Sequence, residues 1–162
     1  MQEIPLTKGY VAIVDDDDYE KVAAFKWCAH VDSKNGKVYA YRNSRSVPNC
    51  MHRFIMGETN PKILIDHKNG NGIDNQRHNL RRANSSRNNA NTGKYKINKS
   101  GYKGVHWDKV EKQWVAQITA DRKKTFIGRF SEKEDAAKAY DALAFKIFGP
   151  FAVLNFLQTE AI

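Results

Sequence analysis

The residues best suited to chemistry lie in the run ILIDHKNGNGIDNQRHNLRRANSSRNNAN, from Ile63 to Asn91. Asp66 and His67 stand side by side after an apolar triplet, and Asn79, Asn88 and Asn91 follow. Asp66 offers a hard carboxylate oxygen and Asn88 an amide oxygen. Two such ligands leave a divalent ion room for phosphate oxygens and water, the usual way Mg²⁺ is held. His67 suits a general base that activates water. Asn79 is expected to accept a hydrogen bond from one ring nitrogen of His67, which fixes the tautomer and leaves the other nitrogen to take a proton. Metal bound here would stabilise charge on a scissile phosphate and on the leaving oxygen. The chemistry that fits is hydrolysis of a phosphodiester assisted by Mg²⁺ or Mn²⁺.

These side chains need elements to hold them. Ile63-Leu64-Ile65 predicts a strand that ends on Asp66-His67. Asn69-Gly70 and Asn71-Gly72 are turn signals. A return strand begins at Asn79-Leu80-Arg81. Ser85 and Ser86 then offer N-caps for a helix that carries Asn88 and Asn91. An Asn-rich surface loop with a structural histidine is the plain alternative.

Asp66-His67, the loop with Asp74-Asn75, Asn79-Leu80-Arg81 and Asn88-x-x-Asn91 together resemble the HNH homing endonucleases and their ββα-metal motif. The resemblance implies that Asp66 and Asn88 bind the metal, that His67 is the general base and that Asn79 orients it. Asn84 stands where the family often has threonine. The order YEKV, KW, YA and HR ahead of this motif also resembles the N-terminal half of many phage members. Homing activity in a phage or mobile element is what the resemblance implies. His52 lies outside the constellation; a DNA contact, a buttress to the metal site and a structural role stay open for it.

Charge points to the same class of partner. The 162 residues carry a formal net charge of +9, with a pI near 9.5. Residues 1–44 hold six Lys/Arg against seven Asp/Glu, residues 45–107 twelve against three, and residues 108–162 nine against eight. The excess therefore sits on and just after the candidate site, as a phosphate-tracking surface requires. Arg81 and Arg87 are expected DNA contacts within it. Cys28 and Cys50 form neither a C-x-x-C pair nor a disulfide framework. The N-terminus lacks a signal h-region, and no apolar run approaches ~18 residues. These features predict a protein of the reducing cytoplasm, with no membrane partner and no obligatory protein partner evident.

Towards the N-terminus, residues 9–14 predict a strand, and Asp15 to Asp18 predict a helix start, where carboxylates cap free amides and complement the dipole. Residues 26–42 predict a hairpin around Asn35-Gly36, with His30 on its surface, and residues 51–57 a short helix. Residues 92–101, with Lys94, Lys96 and Lys99, read as a basic linker that could cross a DNA backbone as an extended tether.

Beyond it, strands are predicted at 104–107, 113–119 and 124–130. A Ser131-x-x-Glu134 capping box starts a helix whose buried stripe is Ala136, Tyr140, Leu143 and Ile147, and Gly149-Pro150 stops it. Val115, Gln117 and Thr119 should lie on the open face of the sheet, with His106, Lys124 and Phe126 beside them. The words YKGVHWD, KQWVAQI, FIGRF, EDAAKAYDALAFKIFG and AVLNF resemble the plant ethylene-response-factor type of DNA-binding domain over roughly residues 100–156. In that family the three-stranded sheet enters the major groove. The resemblance implies DNA contacts at His106, Thr119, Lys124 and Phe126. Most of that family's arginines are missing at these positions, so looser readout is expected, with lysine serving mainly phosphate.

The expected fold class is α+β: an N-terminal region over 1–91 with the nuclease motif at 52–91, the linker 92–101, and a three-stranded antiparallel sheet packed on one helix over 102–157. The expected function is metal-dependent cleavage of double-stranded DNA. Two rivals are a DNA-binding regulator with an inactive nuclease motif and an RNA-directed module; a groove-reading sheet favours duplex DNA over A-form RNA.

Overall fold

A computed structural model describes residues 1–33, 36–43, 49–94 and 98–156. Asn35 of the expected hairpin turn, Lys96 of the basic stretch and residue 157 at the expected C-terminal boundary lie outside the described residues. The chain divides into two compact units, Met1–Asn84 and Ser85–Ile162.

The first unit is built on two-stranded antiparallel ribbons. β1 (Gln2–Pro5) pairs with β2 (Val11–Val14) across a short 3-10 turn, and α1 (Asp16–Ala23) follows. β3 (Cys28–Val31) and β4 (Val38–Tyr41) form the expected hairpin, and α2 (Met51–Ile55) the expected short helix. β5 (Leu64–His67) pairs with β6 (Leu80–Ala83) after a 3-10 turn at Arg77–Asn79. A two-stranded ribbon is barely stable alone. These ribbons share one core that includes Ile4, Val14, Val22, Trp27, Met51 and Leu80.

The acidic run opens α1 as expected, but Asp15 at its N-cap makes no side-chain capping bond. Its carboxylate instead accepts from Gln76 Nε2 (3.1 Å) and from the Arg77 backbone N–H (2.7 Å). Asp18, 1% exposed, receives Arg77 Nε and Nη2 at 2.7 and 2.9 Å, and Nη2 also donates to the Ile55 carbonyl at 3.1 Å. Burial would raise the Asp18 carboxyl; Arg77 and Lys21 outweigh it and hold the group below its ordinary range. The capping expectation is thus corrected: these carboxylates tie α1 to the segment that leads into β6, and Arg77 ties that segment to α2 through the Ile55 carbonyl.

The second unit begins with α3 (Ser85–Ala90). β7 (Val105–Asp108), β8 (Gln113–Ala120) and β9 (Lys123–Phe130) form an antiparallel sheet in that order, packed on α4 (Lys133–Phe148). Small side chains set the close approach: Ala136, Ala137 and Ala144 are buried against the sheet. Gly104, at φ +77°, lies against the Tyr140 ring where no Cβ would fit. Two expectations for α4 are corrected. The N-cap is Glu132 without a side-chain capping bond, and Glu134 Oε1 accepts from the Tyr102 hydroxyl (3.2 Å) rather than closing a capping box. The buried stripe runs Ala136, Ala137, Tyr140, Asp141, Ala144 and Phe148, and Ile147 is exposed. Four-residue steps link Ala136, Tyr140, Ala144 and Phe148; Ile147, seven residues on from Tyr140, keeps the stripe's angular position but is exposed in the last turn of the helix.

α3 packs on α4 and on the 3-10 turn Gly149–Phe151. Lys103 Nζ donates to the carbonyls of Ala90 and Thr92, both at 2.6 Å, and so holds the end of α3; burial pushes this lysine down to about 8. Lys94 Nζ donates to the Gly101 carbonyl at 3.0 Å, which joins the described ends of the 92–101 stretch. Among the described residues no helix is long and apolar enough to cross a membrane.

Candidate active site

Asp66 and His67 are the last two residues of β5, and the ribbon register sets Asp66 opposite Arg81 and His67 opposite Leu80. Both are buried, at 7% and 4% exposure. Paired residues of a ribbon project to the same side, so Arg81 Nε reaches Asp66 Oδ2 at 2.9 Å. The Arg81 side chain is itself only 12% exposed. Arg81, expected to contact DNA, is turned onto the candidate metal ligand instead.

His67 Nε2 lies 3.2 Å from Asn75 Oδ1. The His52 ring meets the His67 ring edge to face, with centroids 5.0 Å apart and planes at 79°. Tyr39 closes the group, 6.0 Å from His67 and 6.2 Å from His52. Burial lowers the His67 pKa, while the bond to Asn75 and the charge of Asp66 pull the other way. Burial, helped by His67 and Arg53, pushes His52 down to about 3. Low pKa values favour neutral rings at neutral pH. His52 Nδ1 and Asn75 Nδ2 are buried with no hydrogen-bond partner among the described residues.

Asn79 does not take the position expected of it. It is 3% exposed, and its Oδ1 accepts from the Asn69 backbone N–H at 3.0 Å. Its Nδ2 donates to Asn69 Oδ1 (3.0 Å) and to the Asp74 carbonyl (2.8 Å). Both amide hydrogens are therefore committed to the 69–74 loop, and the residue at the His67 ring is Asn75. The two Asn-Gly pairs make no simple hairpin turn. Asn69 Nδ2 donates to Asp74 Oδ2 at 2.7 Å, and Asn69 Oδ1 also accepts from the Asn71 N–H at 2.8 Å. Gly72 lies so close to Val38 O and the Tyr39 ring that a Cβ would clash with both.

Asn88 and Asn91 belong to the second unit, Asn88 half-buried on α3 and Asn91 just beyond it, where its N–H donates to the Arg87 carbonyl at 3.1 Å. The Arg87 guanidinium lies over the Phe151 ring, 5.3 Å from its centroid. Ser86, a candidate cap, accepts from the Asp121 N–H through its Oγ at 2.9 Å. Among the described residues no three His, Cys, Asp or Glu side chains gather into a metal cage. The Asp66 carboxylate is a hard oxygen donor of the kind that suits Mg²⁺ or Mn²⁺.

On the sheet, His106 pairs with Val115, Gln117 with Phe126 and Thr119 with Lys124, so all six share the face away from α4. His106, Thr119, Lys124 and Phe126 are exposed, whereas Val115 is buried at 5%, between His106 and Arg129. Arg129 was missed. It pairs with Val115, its guanidinium lies 5.3 Å from the Phe126 centroid, and its Nη2 is 3.7 Å from Asp108. Its place beside Val115 in alternation was the signal available for it in the sequence.

No protein-family model matches the chain. It is 30% identical over 154 residues to an uncharacterised HNH endonuclease of Acanthamoeba polyphaga mimivirus, across 91% of this chain and 76% of that protein. A shorter match, 44% over 57 residues, is to an ethylene-responsive transcription factor of Arabidopsis thaliana, covering 34% of this chain and 30% of that one. Another, 42% over 65 residues, is to a dehydration-responsive element-binding protein of Oryza sativa subsp. japonica, covering 37% of this chain and 19% of that one.

Proposed function

The chain belongs to the HNH endonuclease family, and we propose that it hydrolyses a phosphodiester of double-stranded DNA as a homing-type, metal-dependent nuclease. One observation carries the reading: a buried, neutral-leaning histidine, bonded at one ring nitrogen, stands next to a carboxylate held by an arginine.

On the family's pattern, Asp66 and Asn88 would hold Mg²⁺ or Mn²⁺. Bound there, the ion would polarise the scissile phosphate and stabilise the leaving oxygen. His67 accepts the proton of the attacking water; a base already neutral at neutral pH can do so without first losing one. Arg81 keeps the Asp66 carboxylate in one orientation. His52 and Tyr39 wall the imidazole, which makes His52 a buttress of the site. Asn79 acts at one remove by holding the 69–74 loop.

DNA contact falls to Arg87 and to the open sheet face. A narrow sheet fits the major groove. Lys124 is suited to phosphate, Phe126 to a thymine methyl, and His106 and Thr119 to base edges. The two plant factors matched here are a transcription factor and an element-binding protein by name, and their likeness supports this assignment.

The test is strand-by-strand cleavage mapping on duplex DNA with Mg²⁺, with Mn²⁺ and with chelator. Metal-dependent cuts that leave phosphate-bearing ends are expected. Tight duplex binding with neither strand cut in either metal would make the chain a DNA-binding regulator. Stronger competition from RNA duplex than from DNA would make it an RNA-directed module.

A further inference from the structure

We propose that Asn75 is the positioning residue for His67: its Oδ1 accepts the Nε2–H, so that Nδ1 carries the lone pair that takes the proton. The proposal rests on the reading of His67 as general base, and names the residue that sets which of its nitrogens does the work.

Three observations support it. Asn75 Oδ1 lies 3.2 Å from His67 Nε2, and Asn75 has no exposed surface. The residue is anchored by its main chain, whose N–H donates to the Ile13 carbonyl on β2 at 2.8 Å, next to the Ile13–Asp74 bridge. Its position is therefore set by the core of the unit and not by the ring it touches. Second, Asn79 is occupied elsewhere, as its amide bonds to Asn69 and Asp74 show. Third, Asn75 Nδ2 is buried with no partner among the described residues. Such a group costs about 1–3 kcal/mol, and a buried apolar residue would avoid the cost. The group this amide meets is the His67 ring, which gives a reason for a polar side chain in so buried a place.

The same geometry fixes the tautomer. An amide oxygen can only accept, so a ring nitrogen facing it must bear hydrogen. A neutral imidazole has one N–H, and it is then at Nε2. The rings of His52 and Tyr39 oppose rotation of the imidazole about its Cβ–Cγ bond, which would otherwise exchange the two nitrogens' surroundings.

The experiment is ¹⁵N NMR of the His67 imidazole in the full-length chain, metal-free, above the pH range in which the ring titrates. The wild type should show a single Nε2–H tautomer. Asn75→Asp keeps an acceptor and should keep that tautomer. Asn75→Leu removes the acceptor. It should give a mixture of tautomers and lower kcat by ~10–10²-fold, short of deleting the base itself, with duplex Kd unchanged. An Nδ1–H tautomer in the wild type, or an Asn75→Leu chain with the wild-type tautomer, overturns the assignment. If Asn75→Leu does not fold, the wild-type and Asn75→Asp spectra still decide it. Absence of cleavage by the wild type in any divalent metal overturns instead the nuclease reading on which the role of His67 depends.

Discussion

Among the described residues, the first unit buries seven polar or charged side chains, Asp18, Arg42, Glu58, Asp66, His67, Asn75 and Asn79, whereas the second buries two, Ser100 and Asp141. The contrast follows from architecture. Two-stranded ribbons offer little apolar face, so the first unit is stitched by side-chain bonds such as Arg77 to Asp18 and Asn79 to Asn69. Such bonds gain strength where water is excluded, and a fixed polar interior suits a reaction that moves a proton and develops charge. The second unit has one three-stranded sheet and one long helix that bury alanines and aromatics against each other. Its polar groups are left for its surface, where a polyanion can meet them.

The comparison breaks most sharply if the polar interior of the first unit proves to be structure alone. His67→Ala should lower cleavage by ~10²–10⁴, and Asp66→Ala should abolish it, with duplex affinity nearly kept on the proposal that the second unit holds the DNA. Nicking assays beside gel shifts measure both. A His67→Ala chain that cuts at the wild-type rate would end the catalytic reading of the ribbon.

Stability should divide the same way. Asp18→Ala removes the acceptor for Arg77 and Lys21 and should destabilise the first unit by about 2–3 kcal/mol in urea. Ala137→Leu, which inserts bulk between α4 and the sheet, should destabilise the second unit by about 1–3 kcal/mol. If either substitution lowers both transitions equally, the units do not unfold separately and the contrast is one of composition only.

A smaller effect sharpens the picture through pH. Burial depresses Lys103 to about 8 from an ordinary 10.5. Between these values the unfolded chain binds more protons, so stability of the second unit should rise with pH from 8 towards 10.5. The contribution is complete above 10.5 and lost as pH falls through 8. Tyr140, pushed up to about 12 by burial, opposes it above its ordinary 10.0, since there the folded state holds the extra proton. Thermal melts of the wild type and Lys103→Met should differ in slope between pH 8 and 10. Identical slopes would remove Lys103 from the account. Smallest of all, Lys124→Ala should reduce the salt slope of duplex binding by roughly one unit, while cleavage per bound complex stays the same.

Much of the second unit was legible because its elements have a period. Alternation in KQWVAQI and the aromatic–alanine repeat of α4 place strands and helix. The errors there are local: Ile147 has the stripe's spacing yet is exposed in the last turn, and Ser131 lies one residue before the true cap. In the first unit β1 left no signal, since Gln2-Glu3-Ile4-Pro5 has a single apolar interior residue and is held by pairing with Val11–Val14. Asp66 and His67 were legible from their neighbours. Their partners were not. Asn75 and Asn79 are the same residue type in one loop, and only three-dimensional closure of that loop decides which faces the ring. Arg81 misled for a similar reason: in a basic stretch it looks like a phosphate contact, and strand register turns it onto Asp66.

The lysine bonds that flank the 92–101 stretch change what that stretch contributes. With Lys103 fastened to Ala90 and Thr92, and Lys94 to Gly101, the described residues on either side of the stretch are held to the second unit. Residues added between two anchors cost little, since doubling a flexible loop adds only about 0.6 kcal/mol of closure entropy. Glycine and serine inserted there should slacken the span without lifting α3 from α4. For a lineage of such proteins this is a place where new sequence can accumulate at almost no thermodynamic penalty.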